Sequence, residues 1–350
     1  VRRPGDVVPV ILVLRALGVG DLATAVPALR GLKAAYPDQD LVLAAPRWLA
    51  PLVDLVGAVD RLLPLDGLGP AGEPEPAGEP EPVDGAGPVP GQWAALDGVT
   101  PELAVNLHGR GPRSHELLLA ANPGRLLGFA CPAAGHLDGP HWNDDEHEVQ
   151  RWCRLLRGYG IAADPGDLAL RRPPPAWLPV GLTVVHPGGK DTARRWPAQR
   201  WADLARSLDG LGHHIVVTGS ADEHDLAEEV ATGAGLPMNA VLAGHTDLAE
   251  LATLVAYGRM VISGDTGIAH LATAYRTPSV LLFGPVPPHR WAPPADRPWH
   301  RVLWRADLAG EPAPADTPHP SLLAVEPDEV LAAVSEADRT GQVRDAVTAH

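Results

Sequence analysis

Residues 260–283 read MVISGDTGIAHLATAYRTPSVLLF, and this stretch decides the fold. Met260–Ser263 is a short apolar run of the kind a buried strand needs. A Gly-Asp-Thr-Gly turn follows, in which Asp265 and Thr266 can cap a helix over Ile268–Tyr275. Ser279–Phe283 is a second apolar run. Strand, helix and strand in so short a span form a βαβ unit, whose two strands lie parallel in one sheet.

The same alternation extends outward. In the second half, Leu182–Val185 and His214–Thr218 read as strands, and Gln199–Leu208, Asp222–Thr232 and Leu248–Tyr257 as helices. The first half has strands at Pro9–Leu14, Leu41–Ala45, Asp60–Leu65, Leu103–Leu107 and Arg125–Phe129. Its helices are Leu22–Tyr36, Trp48–Val56, Ser114–Ala121 and Glu146–Tyr159. Pro27 falls in the first turns of its helix, where a missing N–H is better tolerated than deeper in. The class is α/β, with two open, mostly parallel sheets covered by helices. Residues 1–170 make the N-terminal domain. A stiff linker over 171–180 opens on Arg171-Arg172-Pro173-Pro174-Pro175, residues 181–325 make the second domain, and 326–350 are a C-terminal helix and tail. In such sheets ligands sit beyond the carboxyl ends of the strands.

One segment interrupts the pattern. Residues 64–90 read PLDGLGPAGEPEPAGEPEPVDGAGPVP, with Ala-Gly-Glu-Pro-Glu-Pro twice in tandem from Ala71. That composition offers no apolar surface to offset the entropy of ordering it, so residues 64–92 are expected to be a disordered surface insertion. The remaining composition excludes whole classes. The 350 residues hold 28 Lys+Arg against 43 Asp+Glu, a formal net charge of −15, which speaks against a reader of nucleic-acid phosphates. Two cysteines, Cys131 and Cys153, cannot build a disulfide framework or a Cys-rich zinc site. No run reaches the ~18 apolar residues of a membrane span. Val1-Arg2-Arg3 before an apolar stretch has the outline of a signal peptide. Arg15 interrupts that stretch and no small-residue cleavage site follows it, so the expectation is a first strand in a cytoplasmic protein.

The chemistry sits at the strand ends. The first strand runs into Leu17-Gly18-Val19-Gly20-Asp21-Leu22-Ala23, which has the outline of a dinucleotide fingerprint. Asp21 would turn a carboxylate toward a pyrophosphate. The second strand ends Ala44-Ala45-Pro46, with no acid for a ribose hydroxyl, so a nicotinamide-dehydrogenase reading is rejected. Two compatible readings of Asp21 stay open: an N-cap favoured by the helix dipole, or a general base at a cleft, its approach opened by Gly18 and Gly20. In the second half, Gly188 and Gly189 let backbone N–H groups approach an anion that Arg194 and Arg195 can neutralise; a solvated basic loop is the alternative. Lys190 lacks the frame of a Walker loop. Asp265, Thr266 and Gly267 open a helix with His270 one turn in, which suits a phosphate seat or a capped helix with a packed histidine. Glu223 is either a favourable first-turn charge or a ribose-diol acceptor. His108, Arg110, Arg113 and His115 follow the Leu103–Leu107 strand, either in reach of a polar or anionic acceptor or as an ordinary helix start.

In combination, LGVGDLATAVPALRGLKAAYP (17–37), HPGGKDTARRWPAQRWADLA (186–205) and VISGDTGIAHLATAYRTPSVLLFGP (261–285) resemble glycosyltransferase family 9, the ADP-heptose heptosyltransferases. The resemblance covers most of the chain outside the insertion and the tail after about Val330. It implies a GT-B architecture, two Rossmann-like doubly wound domains facing across a cleft, with the acceptor on the first and the nucleotide sugar on the second. It implies an inverting, metal-independent transfer of a heptose from ADP-heptose onto a hydroxyl of a glycan or natural-product acceptor. Asp21 then matches the catalytic base, and Asp265, Thr266, Gly267 and His270 match the donor motif. Gly188 and Gly189 fall on the phosphate-facing loop, Glu223 on the ribose-holding carboxylate, and Thr246 near the adenine wall. Where the family places Lys, Arg194 offers a planar fork suited to clamping a diphosphate. No cofactor beyond the nucleotide-sugar co-substrate and no metal is expected. The partners are that donor and a hydroxyl-bearing acceptor, with no nucleic acid and at most peripheral membrane contact. The rival readings are a sugar-nucleotide epimerase or hydrolase of the same fold and a non-catalytic nucleotide-sugar binding module.

Overall fold

The computed structural model describes residues 8–68, 93, 96, 98–175, 179–314 and 316–348. They fall into two compact units, Val1–Leu168 and Ala169–His350, each built on a five-stranded sheet whose paired strands are all parallel.

In the first unit the strands are β1 (Val10–Leu14), β2 (Asp40–Ala45), β3 (Arg61–Pro64), β4 (Leu103–Asn106) and β5 (Arg125–Leu127), in the order β3-β2-β1-β4-β5. Every residue of β1 is buried, as a central strand covered on both faces requires. The helices are α1 (Val19–Ala35), α2 (Ala50–Val56), α3 (Arg113–Leu119) and α4 (Glu148–Gly158). The helix α4 starts where His147 Nδ1 accepts the Val149 N–H at 3.2 Å, and it turns Val149, Trp152, Leu155 and Leu156 into the core.

The second unit has β6 (Thr183–His186), β7 (Ile215–Val217), β8 (Met260–Gly264), β9 (Ser279–Leu282) and β10 (His300–Leu303), in the order β10-β9-β8-β6-β7. Its helices are α5 (Ala198–Gly210), α6 (His224–Ala234), α7 (Leu248–Ala256), α8 (Gly267–Tyr275), α9 (Pro320–Leu323) and α10 (Pro327–Thr348). At the start of α7, Asp247 Oδ1 accepts the Glu250 N–H at 2.8 Å and Glu250 Oε2 accepts the Asp247 N–H at 3.0 Å, a reciprocal cap. The core gathers Trp201, Leu204 and Leu208 of α5, Val230 of α6, Ile262 of β8 and Val334 of α10.

Several expectations shift. The first helix starts at Val19, because the Asp21 carboxylate reaches back to the Gly18 N–H and closes a turn upstream of Leu22. Pro27 therefore lies in the third turn rather than the first. Residues 64–68, assigned to a disordered insertion, are ordered: Pro64 closes β3, and Leu65 and Leu68 join the core. The insertion reading for 69–92 lies outside the described residues, apart from this correction. In the proline-rich stretch, Arg172 donates to the Ala256 carbonyl and Pro173 accepts from Tyr257 Oη at 2.9 Å, so both are tied to the second unit. The strand β10 carried no sequence signal, since only one of its four residues is buried.

The strand orders locate the sites. In each sheet, successive connections leave one central strand pair toward opposite edges: β1 and β4 in the first, β6 and β8 in the second. Ligands of open parallel sheets sit at such reversal points, outside the carboxyl ends. The residues that follow these four strands begin at Arg15, Leu107, Pro187 and Asp265.

Candidate functional site

In the first unit, β1 carries Arg15 straight into the interior, where its side chain is wholly buried. A buried guanidinium is tolerated only when paired and hydrogen-bonded, and this one is. Its Nε donates to the Asp21 carbonyl at 3.0 Å and its Nη1 to the Leu107 carbonyl at 2.5 Å. Its Nη2 lies 3.2 Å from Asp21 Oδ1, 3.3 Å from Thr24 Oγ1 and 2.9 Å from Glu148 Oε1. The Trp152 indole packs 4.7 Å from the guanidinium carbon and donates its N–H to Glu148 Oε1 at 2.9 Å. Arg151 donates to Glu148 Oε2. Asp21, Arg15, Glu148 and Arg151 thus form a buried chain of alternating charge.

Asp21 is the third residue of α1, and the N-cap position belongs to Gly18. Its Oδ2 accepts the Gly18 N–H at 3.1 Å. Burial pushes its carboxyl above the ordinary range; Glu148 adds to the rise, while Arg15, the Gly18 N–H and His108 pull it back. Gly20 lies beside it in the first turn of α1.

The loop after β4 closes the other side. His108 is buried, and its Nδ1 accepts the Ala16 N–H at 3.2 Å. Asn106 accepts the His108 N–H at 2.9 Å, donates to Ser114 Oγ at 2.8 Å and lies 3.0 Å from His115 Nδ1. His115 Nε2 lies 2.9 Å from the Phe129 carbonyl. These partners define a neutral ring with its proton on Nε2, and burial pushes its pKa down to about 4. Glycine is required at 111 and 128, where a Cβ would overlap the His115 ring. His115 is therefore a core residue, which removes it from the candidates for acceptor contact. Arg110 is part-exposed, 3.9 Å from Asp144. Arg113 opens α3 and donates to the Leu68 carbonyl.

In the second unit the backbone does the holding. Glu223 closes a 3₁₀ turn ahead of α6. Its Oε1 accepts the Gly189 N–H at 2.8 Å and its Oε2 the Ser220 N–H at 2.8 Å. Burial alone would raise this carboxyl, but the Ser220 amide, the neighbouring His186 and the Gly189 amide together outweigh it and hold the pKa below the usual range. Gly188 has no room for a side chain, because a Cβ would overlap the Glu223 carboxylate. Behind Glu223, His186 Nδ1 lies 3.0 Å from Thr218 Oγ1, and burial lowers the ring's pKa against the opposing pull of Glu223. Arg195 Nε donates to the Gly189 carbonyl at 2.7 Å, and the Arg194 carbonyl packs against both Gly189 and Gly264. The Arg194 side chain is part-exposed, 4.0 Å from Asp191. Arg194 ends a 3₁₀ turn, and α5 begins only after Pro197.

At the end of β8, Thr266 is the N-cap of α8. Its hydroxyl is buried and has no hydrogen-bond partner among the described residues. Asp265 precedes it and Gly267 opens the helix, while His270 packs edge-on against Trp291, with ring centroids 5.8 Å apart. Thr246 Oγ1 donates to the Leu242 carbonyl at 3.4 Å, in a loop that also gives the Gly244 N–H to Gly219 and the Ala243 carbonyl to His224. The structure thus brings Gly188, Gly189, Arg194, Arg195 and Glu223 to one strand-end cluster. It sets the Asp265–Gly267 turn beside that cluster through Gly264.

Sequence reasoning missed Arg15, Glu148 and Arg151 as members of the first site. The signal was present: a charged residue directly after five buried β-strand positions must find a partner. Glu148 lies four residues before Trp152, on the same inward stripe of α4. Among the described residues, no group of three or more His, Cys, Asp or Glu side chains is arranged to hold a metal ion. No helix among them is long and apolar enough to cross a membrane.

Comparison with known proteins bears on the family and the fold. Residues 141–305 match the model of glycosyltransferase family 9 (heptosyltransferase). Lipopolysaccharide heptosyltransferase 2 of Salmonella typhimurium is 26% identical over 352 aligned residues, which cover 92% of this chain and 96% of that protein. The structure of E. coli ADP-heptose lps heptosyltransferase II superposes with a TM-score of 0.70 at 23% identity, covering 95% of this chain and 99% of the other. A family 9 glycosyl transferase from Veillonella parvula superposes with a TM-score of 0.73 at 17% identity, covering 94% and 97%. The fold is of the GT-B type, with two Rossmann-like units.

Proposed function

We propose that this chain, a glycosyltransferase carrying a family 9 domain over residues 141–305, moves a heptose from ADP-heptose onto a hydroxyl of a glycan acceptor. The transfer inverts the anomeric centre and needs no metal. Asp21 accepts the proton of the acceptor hydroxyl as that oxygen attacks the anomeric carbon. The bond from that carbon to the diphosphate breaks, and ADP leaves with the negative charge.

The single observation that carries the reading is the contrast between two carboxylates at two strand ends. Asp21 is buried beside a guanidinium that it shares with Glu148, and its pKa is raised; Glu223 takes a backbone amide on each oxygen, and its pKa is lowered. Environments that differ in this way suit a base and a fixed acceptor. Glu223 holds the nucleoside ribose, with Thr246 beside the base. The Gly188–Gly189 loop, Arg194 and Arg195 meet the diphosphate. The N-terminal amides of α8 and the partnerless Thr266 hydroxyl stabilise the charge that builds there, and Asp265 and His270 orient the sugar. The acceptor lies on the first unit, by Gly18, Gly20, His108, Arg110 and Arg113. The names of the relatives point to lipopolysaccharide as the acceptor. Action in the cytoplasm belongs to the same proposal, and the free, buried Cys131 and Cys153 suit it.

The test is ADP release from ADP-heptose, with and without lipopolysaccharide from a heptose-deficient strain. Release is expected only with both. Consumption of ADP-heptose alone would instead favour an epimerase or hydrolase. Asp21→Asn should keep the thermal shift given by ADP-heptose and lose ~10²–10⁴ in turnover. Unchanged turnover removes Asp21 from the base role.

A further inference from the structure

The reading of Asp21 as base leaves unexplained why a buried aspartate would stay basic 3.2 Å from a guanidinium. A fully committed arginine would hold the carboxylate ionised and make it a poor proton acceptor. The geometry shows that Arg15 is not fully committed. Its Nη2 is closer to Glu148 than to Asp21, at 2.9 Å against 3.2 Å. Glu148 comes from α4, far along the chain, and is itself buried. Its Oε1 takes both Arg15 and the Trp152 N–H, and its Oε2 takes Arg151.

We propose that Glu148 is a positioning residue for the transfer reaction. By drawing Arg15 toward α4 and sharing its charge, it leaves the Asp21 carboxylate able to accept a proton. This rests on the proposed role of Asp21. Arg15 remains the clamp that orients Asp21 through three contacts, to its carbonyl, its Oδ1 and the Thr24 hydroxyl one turn on. Arg151 sets how much charge Glu148 has left to share. It also donates to the carbonyls of Asn143, Asp144 and Glu146, so the position of that loop feeds into the same chain. Among the described residues, the charged and titratable groups acting on Asp21 are Arg15 from the end of β1, His108 from the loop after β4, and Glu148, backed by Arg151, from α4. The direction of the Asp21 shift agrees, since Glu148 raises it and Arg15 lowers it.

The consequence is a pair of shifts of opposite sign, which a residue that only props the fold would not produce. In Glu148→Gln the side chain keeps its shape and loses its charge. Arg15 then pairs with Asp21 alone, and the Asp21 titration midpoint falls by about one pH unit. In Arg151→Gln the Glu148 charge falls wholly on Arg15, and the midpoint rises.

The experiment is a carboxyl ¹³C titration of the full chain labelled at aspartate, with the Asp21 signal assigned by its loss in Asp21→Asn. A lower midpoint in Glu148→Gln and a higher one in Arg151→Gln support the proposal. An unmoved midpoint, or shifts of the same sign, overturn it. If Glu148→Gln does not fold, Arg151→Gln decides by itself. The titration needs no acceptor, so its failure is separate from failure of the base role, which the Asp21→Asn turnover assay judges. In turnover, Glu148→Gln should lower kcat several-fold with the KM for ADP-heptose unchanged, because a weaker base slows only the proton transfer.

Discussion

Asp21 in the first unit and Glu223 in the second occupy comparable places, each just beyond the carboxyl end of a parallel strand, but Asp21 is buried and Glu223 only half-buried. Asp21 is held by a guanidinium that it shares with a second carboxylate. Glu223 is held by two backbone amides, one on each oxygen. At Asp21 burial is complete and stays in command, raising the pKa; at Glu223 burial is partial, and the two amides with His186 override it and lower the pKa. On the proposed reading, the same functional group serves as a proton acceptor or as a permanent anion according to its burial and its neighbours.

The strongest way to break this comparison is to follow Asp21 through pH. A base must be deprotonated to work, so activity rises with pH through its pKa. The raised value places the acid limb above the ordinary carboxylate range. A limb at the ordinary aspartate position would remove the distinction from Glu223. Stability runs the other way. A carboxyl whose folded pKa is raised contributes stability that is present at low pH and lost as pH rises through that value. Asp21→Asn removes the cost of ionising a buried group, but with its amide oxygen toward Arg15 its NH₂ faces the Gly18 N–H, and that lost bond offsets the gain. Its melting temperature at pH 7 should therefore change little, even as turnover drops ~10²–10⁴. A large drop in melting temperature would mean the carboxylate is there to hold Arg15.

Acid should act against the first unit through His115. Its ring is neutral in the folded chain, with a pKa of about 4 against the ordinary 6.5. Unfolded chains bind the proton first, so stability is complete above about pH 6.5 and is lost progressively toward pH 4, by of order 3 kcal/mol. His186 and His213 in the second unit shift in the same direction and add to the loss in acid. Urea unfolding of His115→Gln from pH 7 to 4.5 isolates the share of the first unit. The expected result is a shallower slope, and an unchanged slope would show that the ring titrates elsewhere.

In the second unit, effects should appear in donor affinity and not in the pH profile. Glu223→Gln places an NH₂ against a backbone N–H and forfeits a charge-assisted bond worth about 1.5–3 kcal/mol. ADP should bind roughly 10–100-fold more weakly by calorimetry. Since the Glu223 pKa is lowered, its contribution is complete above the ordinary glutamate range and fades only in stronger acid, so ADP affinity should be flat from pH 6 to 8 on its account. Gly188→Ala should reach a similar end by sterics, because its Cβ would displace the same carboxylate.

This difference also explains what the sequence disclosed. The alternation of apolar runs and helical stretches made both sheets legible, because parallel strands buried on both faces can be little else. The second site was legible as well, since backbone cradles need glycine, and Gly188, Gly189 and Gly267 stand in short motifs. The first site was half hidden. Asp21 could be read beside its glycines, but its environment depends on Glu148, a residue on a different helix. A network of side chains joins positions that no local spacing connects, and only the unpaired look of Arg15 after an apolar strand hinted at it. His115 misled for the same reason. In sequence it is a polar residue near a helix start, and its burial rests on Gly111, Gly128 and the Phe129 carbonyl, all supplied by other segments.

The weakest expected effect sharpens the contrast most economically. Gly18 and Gly188 both look like glycines that open a strand end to a ligand. In the structure Gly18 has φ −89° and ψ −171°, an extended conformation open to any residue. The nearest atom to a Cβ built there is Asp21 Oδ2 at 3.5 Å, ordinary van der Waals contact. Alanine is a poorer N-cap than glycine, but it reduces the freedom of the unfolded chain by a comparable amount. Gly18→Ala should therefore change stability by no more than about 0.5 kcal/mol and leave ADP affinity untouched. Its N–H still reaches the Asp21 carboxylate, so the base stays in place. Any loss of turnover, read as a rise in acceptor KM with kcat kept, would mean that the acceptor passes over Gly18 itself. A loss of kcat would instead mean that the glycine is needed to set Asp21, and the first site would then depend on backbone freedom just as the second does.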